Sequence, residues 1–125
     1  MSHYATEIKK ATCYIHSSDF ETVRKEIQSV VNRDGWSHYG WHDEVLKATT
    51  LEEILSEFDI RLVNEYGNYY RPVIEDVYVS NFFDALIQIV ANYMTNGKIK
   101  VDDEYGIVVV KFKDGVGTWK YKEEK

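Results

Sequence analysis

A two-residue turn signal near the C-terminus limits the possible folds more than any other feature of the sequence. Asp114-Gly115 is a preferred pair for a tight β-hairpin, and strand-forming runs flank it at residues 107–113 and 116–122. The first run is nearly all apolar at its start, which indicates a central strand. In the second run aromatic residues alternate with lysines, so each type faces one side. With a further strand at residues 98–103, the sequence predicts a C-terminal antiparallel meander.

Three helix-start signals are each followed by apolar residues at helical spacing. They are Ser18 with Glu21, Thr50 with Glu53, and Ser80 or Asn81. The first helix is expected to end at Asp34-Gly35 and the third at Asn96-Gly97, because such pairs commonly stop helices. The second helix is short.

The order of elements predicts the fold class. A strand within residues 3–16 comes before the first helix, and a hairpin of strands at 60–64 and 72–79 lies between the second and third helices. This is the pattern of a split βαβ, ferredoxin-like core, with a short extra helix and a C-terminal β-hairpin added. We therefore expect one α+β domain over residues 1–125, a sandwich of one mixed or antiparallel sheet with helices on one face.

Residues 35–49 are rich in aromatic side chains and follow no clean period, so we expect an ordered aromatic loop. Trp36, Tyr39 and Trp41 lie in it, and tryptophan and tyrosine dominate interface hot spots. These three residues are therefore candidate partner contacts. The alternative is that Trp36 and Trp41 fold back over the core as a lid.

The acidic residues are concentrated in one stretch of the chain. The formal net charge is −6, and residues 43–65 contain seven acids against two bases, whereas residues 98–125 hold seven lysines and six acids. An acidic helix over residues 43–59 suits a basic protein partner and could mimic a track of phosphates. An ordinary solvated helix face is the alternative. The predicted partner-binding residues are Trp36, Tyr39, Trp41, Glu52, Glu53 and Glu57.

The chain offers little that predicts chemistry. Cys13 fits a small buried core residue better than a nucleophile, and His38 and His42 are four residues apart without the pattern of a zinc motif. A metal site joining them to Cys13 or His16 is conceivable. We expect no catalytic residue, metal or cofactor. A Cys- or His-dependent enzyme is kept as a further hypothesis.

Composition also shapes the expected location and partners. One cysteine fits a reducing compartment, most simply the cytoplasm. No run of 18 apolar residues occurs and no signal-peptide pattern opens the chain, so we expect no membrane contact. The net negative charge argues against direct nucleic-acid binding. An exposed strand edge or the free sheet face offers a contact for a homodimer.

Three segments in the C-terminal two thirds of the chain resemble a group of small uncharacterised proteins of Firmicutes, their phages and mobile elements. The segments are residues 50–58, 82–97 and 112–121. The glycine-glutamate-aspartate-glycine turn of that group is replaced here by residues 102–106. The resemblance implies a phage or mobile-element origin and no catalytic residues. We expect a non-enzymatic binding protein, a phage-encoded inhibitor of a host defence or nucleic-acid-handling complex. A small-ligand or nucleotide-sequestering protein is the alternative.

Overall fold

A computed structural model describes residues 13–33, 35–37, 39–75, 81–103 and 106–122 of the chain. These residues form a small α+β domain, as the sequence predicts. The elements in chain order are β1 (Ile15–His16), a 3-10 turn (Ser17–Asp19), α1 (Phe20–Arg33), α2 (His42–Lys47), α3 (Leu51–Ser56), β2 (Ile60–Tyr66), β3 (Tyr69–Ile74), α4 (Asn81–Ala91), β4 (Gly97–Asp103), β5 (Gly106–Lys113) and β6 (Val116–Lys122). The strand residues expected before Cys13 and at 76–80, and the expected turn residues 104 and 105, lie outside the described residues.

The described strands form two sheets, whereas the sequence pattern predicts one. The strand orders are β1-β3-β2 and β4-β5-β6, and every pairing is antiparallel. Strands that follow each other in the chain pair as β2–β3, β4–β5 and β5–β6, and such antiparallel pairs need only short connections. Ile15 of β1 forms an isolated antiparallel bridge with Met94, which lies between α4 and β4. Beside that bridge the Thr95 N–H donates to the carbonyl of Tyr14 at 2.9 Å.

The C-terminal hairpin confirms the prediction made from its turn. Asp114 and Gly115 both have positive φ, 52° and 82°, as a type I′ turn requires. β5 lies between β4 and β6, which confirms that the apolar run is the central strand.

Helix α4 packs closely on β6 at Gly117. A Cβ atom placed there would lie 2.8 Å from the carbonyl oxygen of Ile87, so only glycine permits this approach. The side-chain amide of Gln88 donates to the Gly117 carbonyl and accepts the Gly117 N–H. The indole N–H of Trp119 donates to Asp84. Side chains of α4 therefore cover part of the outer edge of β6, which would otherwise be open to pairing.

Two helices differ from their expected bounds for local reasons. α1 begins at Phe20, because residues 17–19 form a 3-10 turn whose Ser18 N–H donates to Nδ1 of His16 at 3.1 Å, where the sequence predicts a Ser18–Glu21 capping box. Its end at Arg33, before a Gly35 with φ of 78°, agrees with the predicted stop. α4 ends at Ala91, several residues early, because the following backbone turns and pairs with the segment before β1.

One apolar core lies among the helices and the inner faces of both sheets. Its fully buried large side chains include Val23, Ile27 and Val31 of α1, Leu51 and Ile54 of α3, Phe82, Phe83 and Leu86 of α4, and Val108 and Val110 of β5. Within the described ranges, no helix has the length and apolar character needed to cross a membrane.

Candidate protein-binding surface

The structure brings the three predicted aromatic contacts together. Tyr39 stacks on Trp41 with ring centroids 5.3 Å apart and 14° between the ring planes. Trp36 lies 5.5 Å from Tyr39 and 6.1 Å from Trp41. All three side chains are partly exposed. They form one cluster at the start of α2.

Two members of the cluster are anchored on the core, as the lid alternative predicts. The ring centroids of Trp36 and Trp41 each lie 4.9 Å from that of Phe82, and the Trp41 centroid also lies 5.1 Å from that of Phe58. Phe58 and Phe82 are buried. The indole nitrogen of Trp36 is buried and has no hydrogen-bond partner among the described residues. Trp36 and Trp41 therefore serve the fold first, and only their exposed edges remain for a partner.

Helix α2 lies inside the segment that the sequence suggests is a loop. Only one of its six residues, Val45, is buried, so no period is visible in the sequence. Side chains of α1 stabilise the C-terminal end of this helix by hydrogen bonds. The Gln28 side-chain amide donates to the carbonyls of Val45 and Ala48, both at 2.9 Å, and Arg24 donates to Ala48 at 3.3 Å. These bonds satisfy carbonyl groups that a helix end leaves open.

Exposed carboxylates lie on or directly after the two short helices that follow the aromatic cluster in the chain. The side chains of Asp43 and Glu44, in the first turn of α2, are 84% and 60% exposed. Glu52 in α3 and Glu57 just after it are exposed as well. The acidic helix expected over residues 43–59 is thus two short helices, α2 and α3.

A packing contact joins the start of α2 to the end of α3. Trp41 directly precedes α2 and packs on Phe58, which directly follows Glu57. The ends of the two helices are thereby held together. We call Tyr39, Trp41, Asp43, Glu44, Glu52 and Glu57 the acidic–aromatic surface.

Glu53 has a structural task that separates it from its acidic neighbours. Its carboxylate accepts the backbone N–H groups of Thr49 at 2.7 Å and Thr50 at 3.3 Å, while the Thr50 hydroxyl accepts the Glu53 N–H at 3.2 Å. This confirms the predicted capping box. The bond from the Thr49 N–H holds the pKa of Glu53 below its ordinary value. Glu53 therefore stabilises the start of α3, and its carboxylate is engaged by the backbone N–H groups there.

The described residues show no arrangement suited to thiol or metal chemistry. Cys13 is completely buried, and burial raises the pKa of its thiol to about 12. A thiol with that pKa is protonated at neutral pH and is a poor nucleophile. No group of three or more metal-ligating side chains occurs in the part of the chain that the structure describes. Nδ1 of His42 lies 3.0 Å from a carboxylate oxygen of Asp43, and His38 is outside the described residues.

A small apolar cavity lies in the core between the two sheets. Its volume is about 30 Å³, and the side chains around it are all apolar, among them Ile15, Leu86 and Phe112. Pockets for small organic ligands are roughly 300 to 1,000 Å³. This cavity therefore offers no site for a nucleotide.

A second aromatic surface, outside the predicted site residues, lies at the tip of the β2–β3 hairpin. Tyr66 is 56% exposed. It lies 5.5 Å from Tyr14 and 5.4 Å from Tyr69, which in turn packs against His16. The signal was the pair of tyrosines around the Gly67-Asn68 turn, but their exposure depends on the packing of β1 beside β3.

Comparisons of the chain with protein-family models, curated proteins and solved structures found no match. The resemblance to small proteins of Firmicutes and their phages stays a prediction. Function is therefore inferred from the geometry and charge of the surfaces themselves.

Proposed function

We propose that this protein is a non-enzymatic protein-binding module whose acidic–aromatic surface binds a basic protein. The observation that carries the proposal is the Tyr39–Trp41 stack, which is partly exposed, beside the exposed carboxylates of α2 and α3. Interface energy usually concentrates in a few aromatic anchors, while charges around them steer the encounter.

The parts of the surface have different tasks in this proposal. Tyr39 and the exposed edge of Trp41 supply the area buried against the partner. Asp43, Glu52 and Glu57 raise the association rate by attracting a positive surface. Trp36 and Glu53 hold the surface in shape, through the contact with Phe82 and the capping box respectively.

The chemistry of the surface favours a partner that handles nucleic acids. A protein surface that binds phosphates is rich in lysine and arginine, so carboxylates held on short helices can occupy the same site. With the resemblance to phage proteins, the proposal extends to a phage-encoded inhibitor of a host defence or nucleic-acid-handling complex in the cytoplasm. The protonated thiol of Cys13 supports a non-enzymatic role over a thiol-dependent enzyme.

Affinity capture of partner proteins from a bacterial lysate tests the proposal, with the wild type and two matched variants as bait. Glu52→Gln with Glu57→Gln removes two negative charges from the acidic–aromatic surface. Asn68→Lys with Thr118→Lys, called the sheet variant, changes the net charge by the same amount at exposed positions in the β2–β3 turn and on β6. Both variants thus have the same net charge, and they differ only in where the charge is changed.

The proposal predicts a basic protein that is captured by the wild type and by the sheet variant in low salt. The Glu52→Gln with Glu57→Gln variant, called the glutamine variant, should no longer capture this protein, and neither should the wild type in high salt. Recovery of the same proteins with the glutamine variant would contradict the proposal, and so would a blank with the wild type in a lysate of the natural host.

A further inference from the structure

Lysines gather on the outer face of the β4-β5-β6 sheet. Lys98 pairs directly opposite Lys111, and Val109 lies between Lys100 on β4 and Lys120 on β6. Because side chains alternate along strands, the residues between these positions face the core, and they are buried there: Ile99, Val101, Val108, Val110 and Phe112. We call Lys98, Lys100, Lys111, Lys113 and Lys120 the lysine face.

Four of the five lysines of this face, Lys98, Lys111, Lys113 and Lys120, have no ion-pair partner among the described residues. Like charges directly opposite each other on a sheet destabilise it, so the Lys98–Lys111 pair is unfavourable in the free protein. A shallow groove of about 280 Å³ lies among Lys98, Lys111 and Lys113. An anion bound there would remove the repulsion.

The negative net charge of the chain does not reveal this positive surface. The total of −6 is a sum over the chain, but the acids of the acidic–aromatic surface lie in α2, in α3 and directly after α3, and the lysine face belongs to three other elements. The sequence-based expectation of no direct nucleic-acid contact rests on that sum. Binding of a polyanion depends on the local field, which clustered lysines make positive.

We infer that the lysine face binds the phosphate backbone of a nucleic acid without reading its sequence. Alternate residues on a strand are about 7 Å apart and neighbouring strands about 4.8 Å apart. The lysines therefore form a grid that spans several consecutive phosphates of one strand, whose rise is about 3.4 Å. Long lysine side chains reach from the flat sheet as mobile point charges.

The composition of the face separates this ligand from an acidic protein. Protein interfaces concentrate their binding energy in tryptophan, tyrosine and arginine, whereas phosphate contacts dominate sequence-independent binding of nucleic acids. The face has no arginine, tyrosine or tryptophan at its described positions, which removes the usual means of stacking on bases or reading them. Contact with the backbone alone is what remains. This inference does not depend on the proposed function, because it uses different elements.

Fluorescence anisotropy with labelled 20-nucleotide single-stranded and duplex DNA of mixed sequence tests the inference. The full-length protein is titrated in potassium chloride between 20 and 300 mM. We expect micromolar binding at the lowest salt, similar for unrelated sequences. For the duplex, log K against log salt should have a slope of about −3 to −4, as four or so lysine–phosphate contacts give.

Two variants with equal charge change locate the contact. Lys98→Gln with Lys111→Gln and Lys113→Gln should weaken binding at least tenfold at 50 mM salt and make the slope shallower by about 2 to 3. Lys25→Gln with Arg33→Gln and Lys47→Gln removes three exposed positive charges from α1 and α2. This control should bind within about threefold of the wild type. Circular dichroism confirms that both variants fold.

Three results would overturn the inference. One is no binding at 100 µM protein and 20 mM salt. Another is an equal loss of binding in both variants, which would show a non-specific effect of net charge. The third is binding to polyglutamate, with the same lysine dependence but without affinity for DNA, which would identify an acidic protein as the ligand.

Discussion

Tyr39 stacks on Trp41 with ring centroids 5.3 Å apart, and the two rings have different roles although they touch. Trp41 lies against the buried Phe58 and Phe82. Tyr39 lies on the outer side of Trp41, at the surface proposed to bind a partner. The same cluster therefore joins fold stability to recognition, and single substitutions should separate the two.

Trp41→Ala should lower the free energy of unfolding by about 3 kcal/mol, because it removes a large ring from Phe58 and Phe82. Tyr39→Ala should cost less than about 1.5 kcal/mol and should weaken capture of the partner. Urea denaturation followed by circular dichroism measures the first effect, and the capture experiment measures the second. Equal destabilisation by both substitutions would contradict the separate roles.

Gly117→Ala should destabilise the protein by about 1 to 3 kcal/mol, because the new methyl group meets the carbonyl of Ile87 at 2.8 Å and α4 must shift. Gly40→Ala is the matched control, since no atom lies within 4 Å of a Cβ at that position. The control should be neutral or slightly stabilising. Thermal melts of both variants decide the matter, and a neutral Gly117→Ala would show that α4 does not pack on β6 as described.

The contribution of Glu53 to stability should depend on pH. Its pKa in the folded protein is below the ordinary value of 4.5, so the folded state binds its proton less tightly than the unfolded state. The stabilisation is therefore fully present above that ordinary value and is lost as the pH falls through the lowered pKa. Urea midpoints of the wild type and Glu53→Gln should differ at pH 7 and converge near pH 3. A difference that is as large at pH 3 would show that the charge of Glu53 is not the cause.

Cys13 should resist alkylation in the folded protein. With a pKa of about 12, on the order of one thiol in ten thousand is ionised at pH 8, and burial blocks access as well. The reaction with Ellman's reagent should be slow in buffer and rapid in urea. Rapid reaction in buffer would revive the hypothesis of a reactive cysteine.

Elements with a strong local signal were predictable from the sequence. The Asp114-Gly115 turn fixes the final hairpin, and the Thr50–Glu53 capping box fixes the start of α3. Helix α2 was not predictable, because its end is satisfied by Gln28 and Arg24 from another helix. The division into two sheets was also not predictable, because the sequence indicates which segments form strands but not how the strands pair across the fold.

The candidate surfaces were predictable only in part. Aromatic residues and acids are visible in the sequence, but their exposure depends on distant partners such as Phe82, and Glu53 is engaged by its own helix start. The alternation of lysines was visible in each strand. Their gathering on one face follows from the register that places Lys98 opposite Lys111.

The rate of association with the captured basic protein tests the central claim most directly. Biolayer interferometry would compare the wild type, Glu52→Gln with Glu57→Gln, and Asn68→Lys with Thr118→Lys over a range of salt concentrations. We expect the glutamine variant to associate at least tenfold more slowly than the sheet variant in low salt, with dissociation nearly unchanged and the difference vanishing in high salt. Equal association rates for the two variants would contradict the claim that the acidic–aromatic surface binds a basic partner.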